Sequence, residues 1–444
     1  MLGRHAALEI VYHAMELTKA DQVQVSLVTS EEALTRFANS AIHQNVAERD
    51  AVLGIRAVIG KRVGYVASNA TDSEGIRRLA ERARAVTLAQ EENPDFVSLP
   101  GPTRVPALDI WRERTASFTP DDRAQAVRVV VDTAGSWGAI ASGAFSTWER
   151  EHAVVNSLGV EAYCASTGAM LSTVMSKEPG GFGYASALAQ DVGAIDPSAV
   201  AHEAAMVCAR SVSPRELAPG VYPVILKPYA VSELIAGLAW AGLGALSVQE
   251  RRSFMNDRFG EQITGEKITL FDDGLDRAGL PVPFDAEGVA KQRVDLIVKG
   301  CANAVVYDSY TAHREGKQST GHATGGSGVW GPYPQNLFLE PGDSDLDTMI
   351  RATERGVLIT RFHYTNLVHP TKTVLTGMTR DGTFWIENGQ IAYPVKNLRF
   401  TQSILDALAS ATAIGRERKL VDVGWACVPA LKLERFEFSG TTEF

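Results

Sequence analysis

Between Ala230 and Val248 the chain carries a single charged residue, Glu233, among Ala, Leu, Ile, Val, Gly, Ser and Trp. A segment so apolar must be buried, because a solvent-facing helix of this composition would leave too much hydrocarbon in water. Its length also suits a membrane span. Gly237, Gly242, Gly244 and the many alanines instead favour close packing inside a protein. The segment reads as an internal helix around which a large domain assembles, and no membrane association is expected.

With 444 residues, 45% hydrophobic and 21% charged, the chain has the make-up of a soluble globular protein with room for two or three domains. The net charge of -9 and the absence of an Arg/Lys-rich tract with interleaved aromatics exclude nucleic acid as an expected partner. Cys164, Cys208, Cys301 and Cys427 are scattered without a Cys-x-x-Cys pair, which reads as reduced thiols acting as small hydrophobes. Met1–Lys19 mixes Arg4, His5, Glu9, His13 and Glu16 with apolar residues, unlike a secretory signal, so a cytoplasmic location is expected.

Periodicity divides the chain into three stretches. In residues 1–93, a helix from His5 to Lys19 precedes an alternating strand over Gln22–Thr29, with Val23, Val25 and Leu27 on one face. A hairpin over Val52–Ile59 and Val63–Ser68 follows, then a helix capped by Asp72 and running to Ala89. Residues 94–216 begin with four prolines, continue through a helix from Pro120, and predict an antiparallel meander of four strands. These are Ala144–Arg150, Ala153–Asn156, Val160–Thr167 and Met170–Lys177, before a helix from Pro197 to Ser211. Residues 217–444 form a larger unit. It has strands at Gly220–Leu226, Val357–Phe362, Thr376–Ile386, Gln390–Val395 and Ala430–Phe438, a glycine-rich loop at Ser319–Gly331, and a helix over Thr401–Ala413.

Within that last stretch stand Pro283-Phe284-Asp285-Ala286-Glu287-Gly288-Val289, Ser319-Thr320-Gly321-His322-Ala323, Asn336-Leu337, Pro341-Gly342, Gly356–Phe362, Gly382–Gly389 and Pro394-Val395, in this order. The series resembles the TldD/PmbA family of metalloprotease-related proteins. The resemblance implies an α+β, two-domain architecture. It would consist of an N-terminal α/β unit with an antiparallel meander and a larger C-terminal mixed β-sheet domain with helices.

Zinc-bearing members of that family carry a helical His-Glu-x-x-x-His where this chain reads Ser232-Glu233-Leu234-Ile235-Ala236-Gly237. Serine and glycine supply none of the imidazole nitrogens such a site uses, so no metal ligand and no catalytic residue is assigned here. Glu233 is retained. Without a metal-bound water its ordinary role is that of an acid near a helix start, favoured by the dipole. Cys427, in Gly424–Pro429, sits nearer the closing strand than the family's ligand cysteine and is given no metal role.

The resemblance points to the PmbA/TldE branch. It implies a subunit that binds no cofactor itself and pairs with a TldD-like subunit holding the zinc, the pair acting on peptides or unfolded chains. A self-associated homodimer and an autonomous hydrolase built from His313, His322, His363 and His369 are the alternatives. His363 and His369 are spaced wrongly for one helix face, and no Gly-x-Ser-x-Gly elbow or phosphate loop occurs. The residues of the glycine-rich stretch suit capture of an extended peptide, and Thr320, His322, Ser327 and Asn336 are the candidates for a substrate channel.

Overall fold

The computed structural model describes residues 1–442. Six long strands form the first sheet: β1 (Gln22–Ala38), β2 (Ala41–Ile59), β3 (Arg62–Ser68), β4 (Ile140–Asn156), β5 (Glu161–Lys177) and β6 (Gly181–Ala189). Their order is β3-β2-β1-β4-β5-β6, antiparallel throughout. Segments 1–93 and 94–216 therefore share one sheet, because β1 pairs with β4 from Gln24↔Asn156 to Phe37↔Gly143.

Alternation places the apolar side chains on one face of the sheet, which the helices cover toward its two ends. Val23, Val25, Leu27, Leu53, Ile55, Ala153 and Val155 pack beneath the helices Arg4–Leu17 and Ser73–Leu88. Phe37, Phe145, Leu171 and Met175 pack beneath Pro120–Ser136 and Pro197–Arg210. Local chemistry starts three of these helices. Asp72 accepts from the Gly75 amide at 2.9 Å, Thr119 and Asp122 form a reciprocal capping box, and Asp196 accepts from Ser198 and Ala199.

The expected four-strand meander is two continuous strands, β4 and β5, followed by β6. Glu151, which reads as a break in the apolar pattern, lies inside β4. Its carboxylate accepts hydrogen bonds from the Leu2 and Gly3 amides, Thr29 and Tyr163. A buried polar group satisfied in this way need not interrupt a strand.

The second sheet holds the remaining strands: β7 (Gly220–Leu226), β8 (Leu270–Asp272), β9 (Val294–Val298), β10 (Cys301–Ala302), β11 (Leu337–Leu339), β12 (Arg355–His369), β13 (Val374–Glu387), β14 (Gln390–Pro394), β15 (Leu398–Ser403), β16 (Ala411–Val421) and β17 (Ala426–Thr441). β7 pairs parallel with β12 and antiparallel with β17, so β7, β12, β13, β15 and β17 close into a ring. The apolar segment packs against it as the helix Pro228–Gly242, with twelve buried residues. It stops earlier than expected, at Gly242 (φ 148), where any side chain would strike Ser253. No helix among the described residues is long and apolar enough to cross a membrane.

The helix expected over Thr401–Ala413 is only Ile404–Ala409. Its flanks are drawn into pairing instead, Arg399–Ser403 with β13 and Ala411–Val421 with β17. Tertiary pairing overrides local preference here.

The layers meet through the polar face of the first sheet. Gln24 Nε2 donates to the Ala286 carbonyl at 3.0 Å, Arg56 pairs with Glu287 at 3.0 Å, and the His152 and Phe284 rings lie 5.1 Å apart. The Pro283–Val289 turn closes on itself, the Asp285 carboxylate accepting from the amides of Glu287, Val289 and Ala323. Gly288 (φ 77) lies so near Val154 and Val160 that no side chain fits.

Candidate functional site

Glu233, Ala236 and Trp240 lie at helical spacing on one face of Pro228–Gly242. Ala236 meets Gly424 of the Val423–Trp425 turn, a close approach that leaves no room for a larger residue. Thr365, near the tip of β12, donates to Glu233 Oε2 at 2.6 Å. The charges of Asp422 and Arg361 also act on Glu233. Burial is the leading cause that raises its pKa above the ordinary carboxylate value, aided by Asp422 and opposed by Thr365 and Arg361. Asp422 is raised as well, again chiefly by burial. Arg361 forms an ion pair with the buried Asp381 and lies 4.2 Å over the Tyr184 ring.

Glu233 is not held by the helix dipole as expected. The helix begins at Pro228 and carries no acid in its first turn, so Glu233 lies beyond the reach of the terminus. It is instead a largely buried acid placed between the apolar helix, β12 and the turn before β17.

The residues at the family's zinc position do not fit a metal. Ser232 is fully buried and donates to the Tyr229 carbonyl at 2.9 Å. Gly237 faces the core, where an added Cβ would lie 2.7 Å from Ile404 Cδ1 and 3.6 Å from Leu375 Cδ1. Cys427 packs with Phe271 and Phe338, and burial raises its pKa. Among the described residues no group of three or more His, Cys, Asp or Glu side chains is placed to share a metal ion.

Three of the four channel candidates lie together, but inside the protein. His322, 1% exposed, places Nε2 2.8 Å from Asp272 Oδ1 and Nδ1 2.9 Å from both the carbonyl and the hydroxyl of Thr320. Burial, then the charge of Lys291, lowers the His322 pKa and keeps the ring neutral. Asp272 also accepts from the Asn336 amide at 2.7 Å. Burial pushes its pKa upward, but His322 and Lys291 outweigh that and hold it below the ordinary value. Asn336 Nδ2 donates to the Leu280 carbonyl at 2.9 Å, which ties down the Leu280–Val282 strip. Ser327 alone is exposed, at the tip of the loop.

The other histidines do not converge. His369 pairs locally with Thr371, and the His363 ring lies tilted against that of Tyr364.

Sequence reasoning singled out the aromatics of the glycine-rich stretch, Trp330 and Tyr333, but missed the exposed side chains of Trp240, Tyr364 and Val368. Trp240 is 64% exposed, Trp330 75%, Tyr364 71% and Val368 60%. Trp240 contacts both Trp330 and Tyr333 edge-on or tilted, so the helix and the glycine-rich loop share one aromatic surface. The aromatics of that loop were the available signal, but their alignment with Trp240 is a tertiary fact.

Residues 219–440, half of the chain, match the PmbA/TldA metallopeptidase C-terminal domain, and residues 23–87 match PmbA/TldA metallopeptidase domain 1. The metalloprotease PmbA of Escherichia coli O157:H7 is 27% identical over 96% of this chain and 95% of its own length. A metalloprotease TldD homolog of Buchnera aphidicola is 25% identical over 54% of this chain and 52% of its own length. The crystal structure of TldE from Thermococcus kodakarensis superposes with a TM-score of 0.89 at 20% identity, covering 98% of this chain and all of that one. The same two-sheet fold and the matching domains agree: the chain belongs to the PmbA/TldD family of metalloprotease-related proteins.

Proposed function

We propose that this chain is the PmbA/TldE-like subunit of a two-subunit cytoplasmic metalloprotease. It holds no zinc of its own and completes the cavity of a TldD-like partner that does. The observation that carries the reading is the helix face at the family's zinc position. It offers a hydroxyl already spent on Tyr229, a glycine turned to the core, and one largely buried acid. The apolar surface of Trp240, Trp330, Tyr364 and Val368 beside that face supports a covering partner or a polypeptide substrate. The substrates are peptides or unfolded chains, whose extended backbone can enter a cleft that a folded domain cannot.

Co-expression with a relative from the same organism carrying an intact His-Glu-x-x-x-His tests the reading. The expected result is a stable pair with zinc in the partner and cleavage of an unstructured peptide by the pair alone. Stoichiometric zinc with cleavage by the lone chain would overturn it and return the autonomous hydrolase.

A further inference from the structure

A slot of about 220 Å³ opens at the seam between the two layers. One wall is the outward face of the first sheet, with Val28, Trp148, Arg150, His152 and Cys164. The other is the Leu280–Val282 strip and Trp425. Trp425 stands in a left-handed conformation (φ 49) directly after Gly424 (φ 65), and its ring reaches to 6.4 Å from that of Trp148. A non-glycine residue held this way costs free energy, and such strain gathers where a side chain must be aimed.

The walls are uncharged near neutral pH except at one point. Burial pushes the His152 pKa down to about 4 and the Cys164 thiol up to about 12, so both stay neutral. Glu151 borders the slot, but its carboxylate turns to the opposite face of β4 and is occupied by the Leu2 and Gly3 amides, Thr29 and Tyr163. The exception is Arg150, which is exposed and makes no hydrogen bond or ion pair among the described residues. Its cross-strand neighbours are Ser30 and Ser166, neither of them acidic.

We propose that this slot takes the C-terminal residue of a peptide, a large apolar side chain entering between Trp148 and Trp425 while Arg150 binds the terminal carboxylate. The volume is ample, since an apolar cavity of about 150 Å³ already admits benzene. A guanidinium without a partner suits a carboxylate through paired N–H donors. The turn that carries Trp425 also carries Asp422, whose charge acts on Glu233, so the slot lies one short turn away from Glu233. The assignment deepens the reading that this chain handles peptides, and rests on it.

The test is fluorescence anisotropy on the full chain with N-terminally labelled Ala-Ala-Ala-Ala-Phe, as free acid and as C-terminal amide, and with the same peptide ending in Lys. The free acid ending in Phe is expected to bind about tenfold tighter than the amide, the size of one charge-assisted contact. Arg150→Gln should erase that difference, and because the residue is exposed it should leave the melting temperature unchanged. Cys164→Leu, which fills the slot, should weaken both Phe peptides, and a far-UV and thermal comparison confirms that it folds. Equal binding of acid and amide, an undiminished preference in Arg150→Gln, equal binding of the Lys peptide, or no binding of any of them would overturn the assignment. Cleavage by the pair without binding at the slot would sink this proposal alone. Binding at the slot with no cleaving partner would sink the paired-protease reading alone.

Discussion

A Cβ on Gly237 would lie 2.7 Å from Ile404 Cδ1, so the position where zinc-bearing relatives of this family place a histidine is already filled by the neighbouring Ile404–Ala409 helix. The methyl end of Ile404 can yield to a methyl group but not to an imidazole. Gly237→Ala should therefore be near neutral, the crowding offset by better helix propensity. Gly237→His should lose roughly 1–3 kcal/mol to overpacking. The double variant Ser232→His with Gly237→His should still fail to hold stoichiometric zinc, as measured by metal analysis after dialysis.

The pH dependence of Glu233 follows from its raised pKa. Folded protein keeps the proton to higher pH than unfolded chain, so this group's contribution to stability is present at low pH. It is lost as pH rises from the ordinary value of 4.5 through the folded one. Glu233→Gln retains an acceptor for Thr365 and removes the buried charge. Its melting temperature should match the native protein near pH 4 and exceed it at pH 7. A variant less stable than native at pH 7 would show that the ionised form is the favoured one.

His152 should act in the opposite sense. Burial lowers its pKa from 6.5 to about 4, so between these values the unfolded chain binds a proton that the folded protein excludes. Stability from this group is lost as pH falls from 6.5 to about 4. Comparing melting curves of native protein and His152→Phe across that window should show the gap moving in favour of the variant at acid pH.

His322→Leu removes the partner of a fully buried carboxylate and should cost roughly 3 kcal/mol in urea unfolding. Asp272→Asn keeps the shape and should cost less. If His322 instead did chemistry, its replacement would abolish cleavage by the assembled pair without shifting the urea midpoint.

Trp330→Ser and Trp240→Ser remove exposed rings that touch little else, so thermal stability should change by less than about 0.5 kcal/mol. If the aromatic surface is where the partner docks, either substitution should weaken pair formation about tenfold, measurable by sedimentation.

In the long strands around the seam, polar residues have distant partners that a local pattern does not show. Gln24, Arg56 and Glu151 look like solvent-side or turn residues in a one-dimensional pattern. Each is in fact matched to a distant group: the Ala286 carbonyl, the Glu287 carboxylate, and the amides at the chain start. The same holds for the channel candidates. Polar side chains in a glycine-rich loop suggest a binding surface, yet Thr320, His322 and Asn336 fold inward onto Asp272, which lies 50 residues from His322 in sequence.

From residues alone came the family resemblance, the absence of the two histidines, the buried character of the Ala230–Val248 stretch, and the cap at Asp72. These rest on local spacing and on side-chain chemistry that no fold can change. Only the tertiary structure decided that segments 1–93 and 94–216 share one sheet, that Gly237 faces Ile404, and that Trp148, Arg150 and Trp425 border a common slot. Those are pairings between residues far apart along the chain, fixed by the burial of whole layers against each other, and no local pattern encodes them.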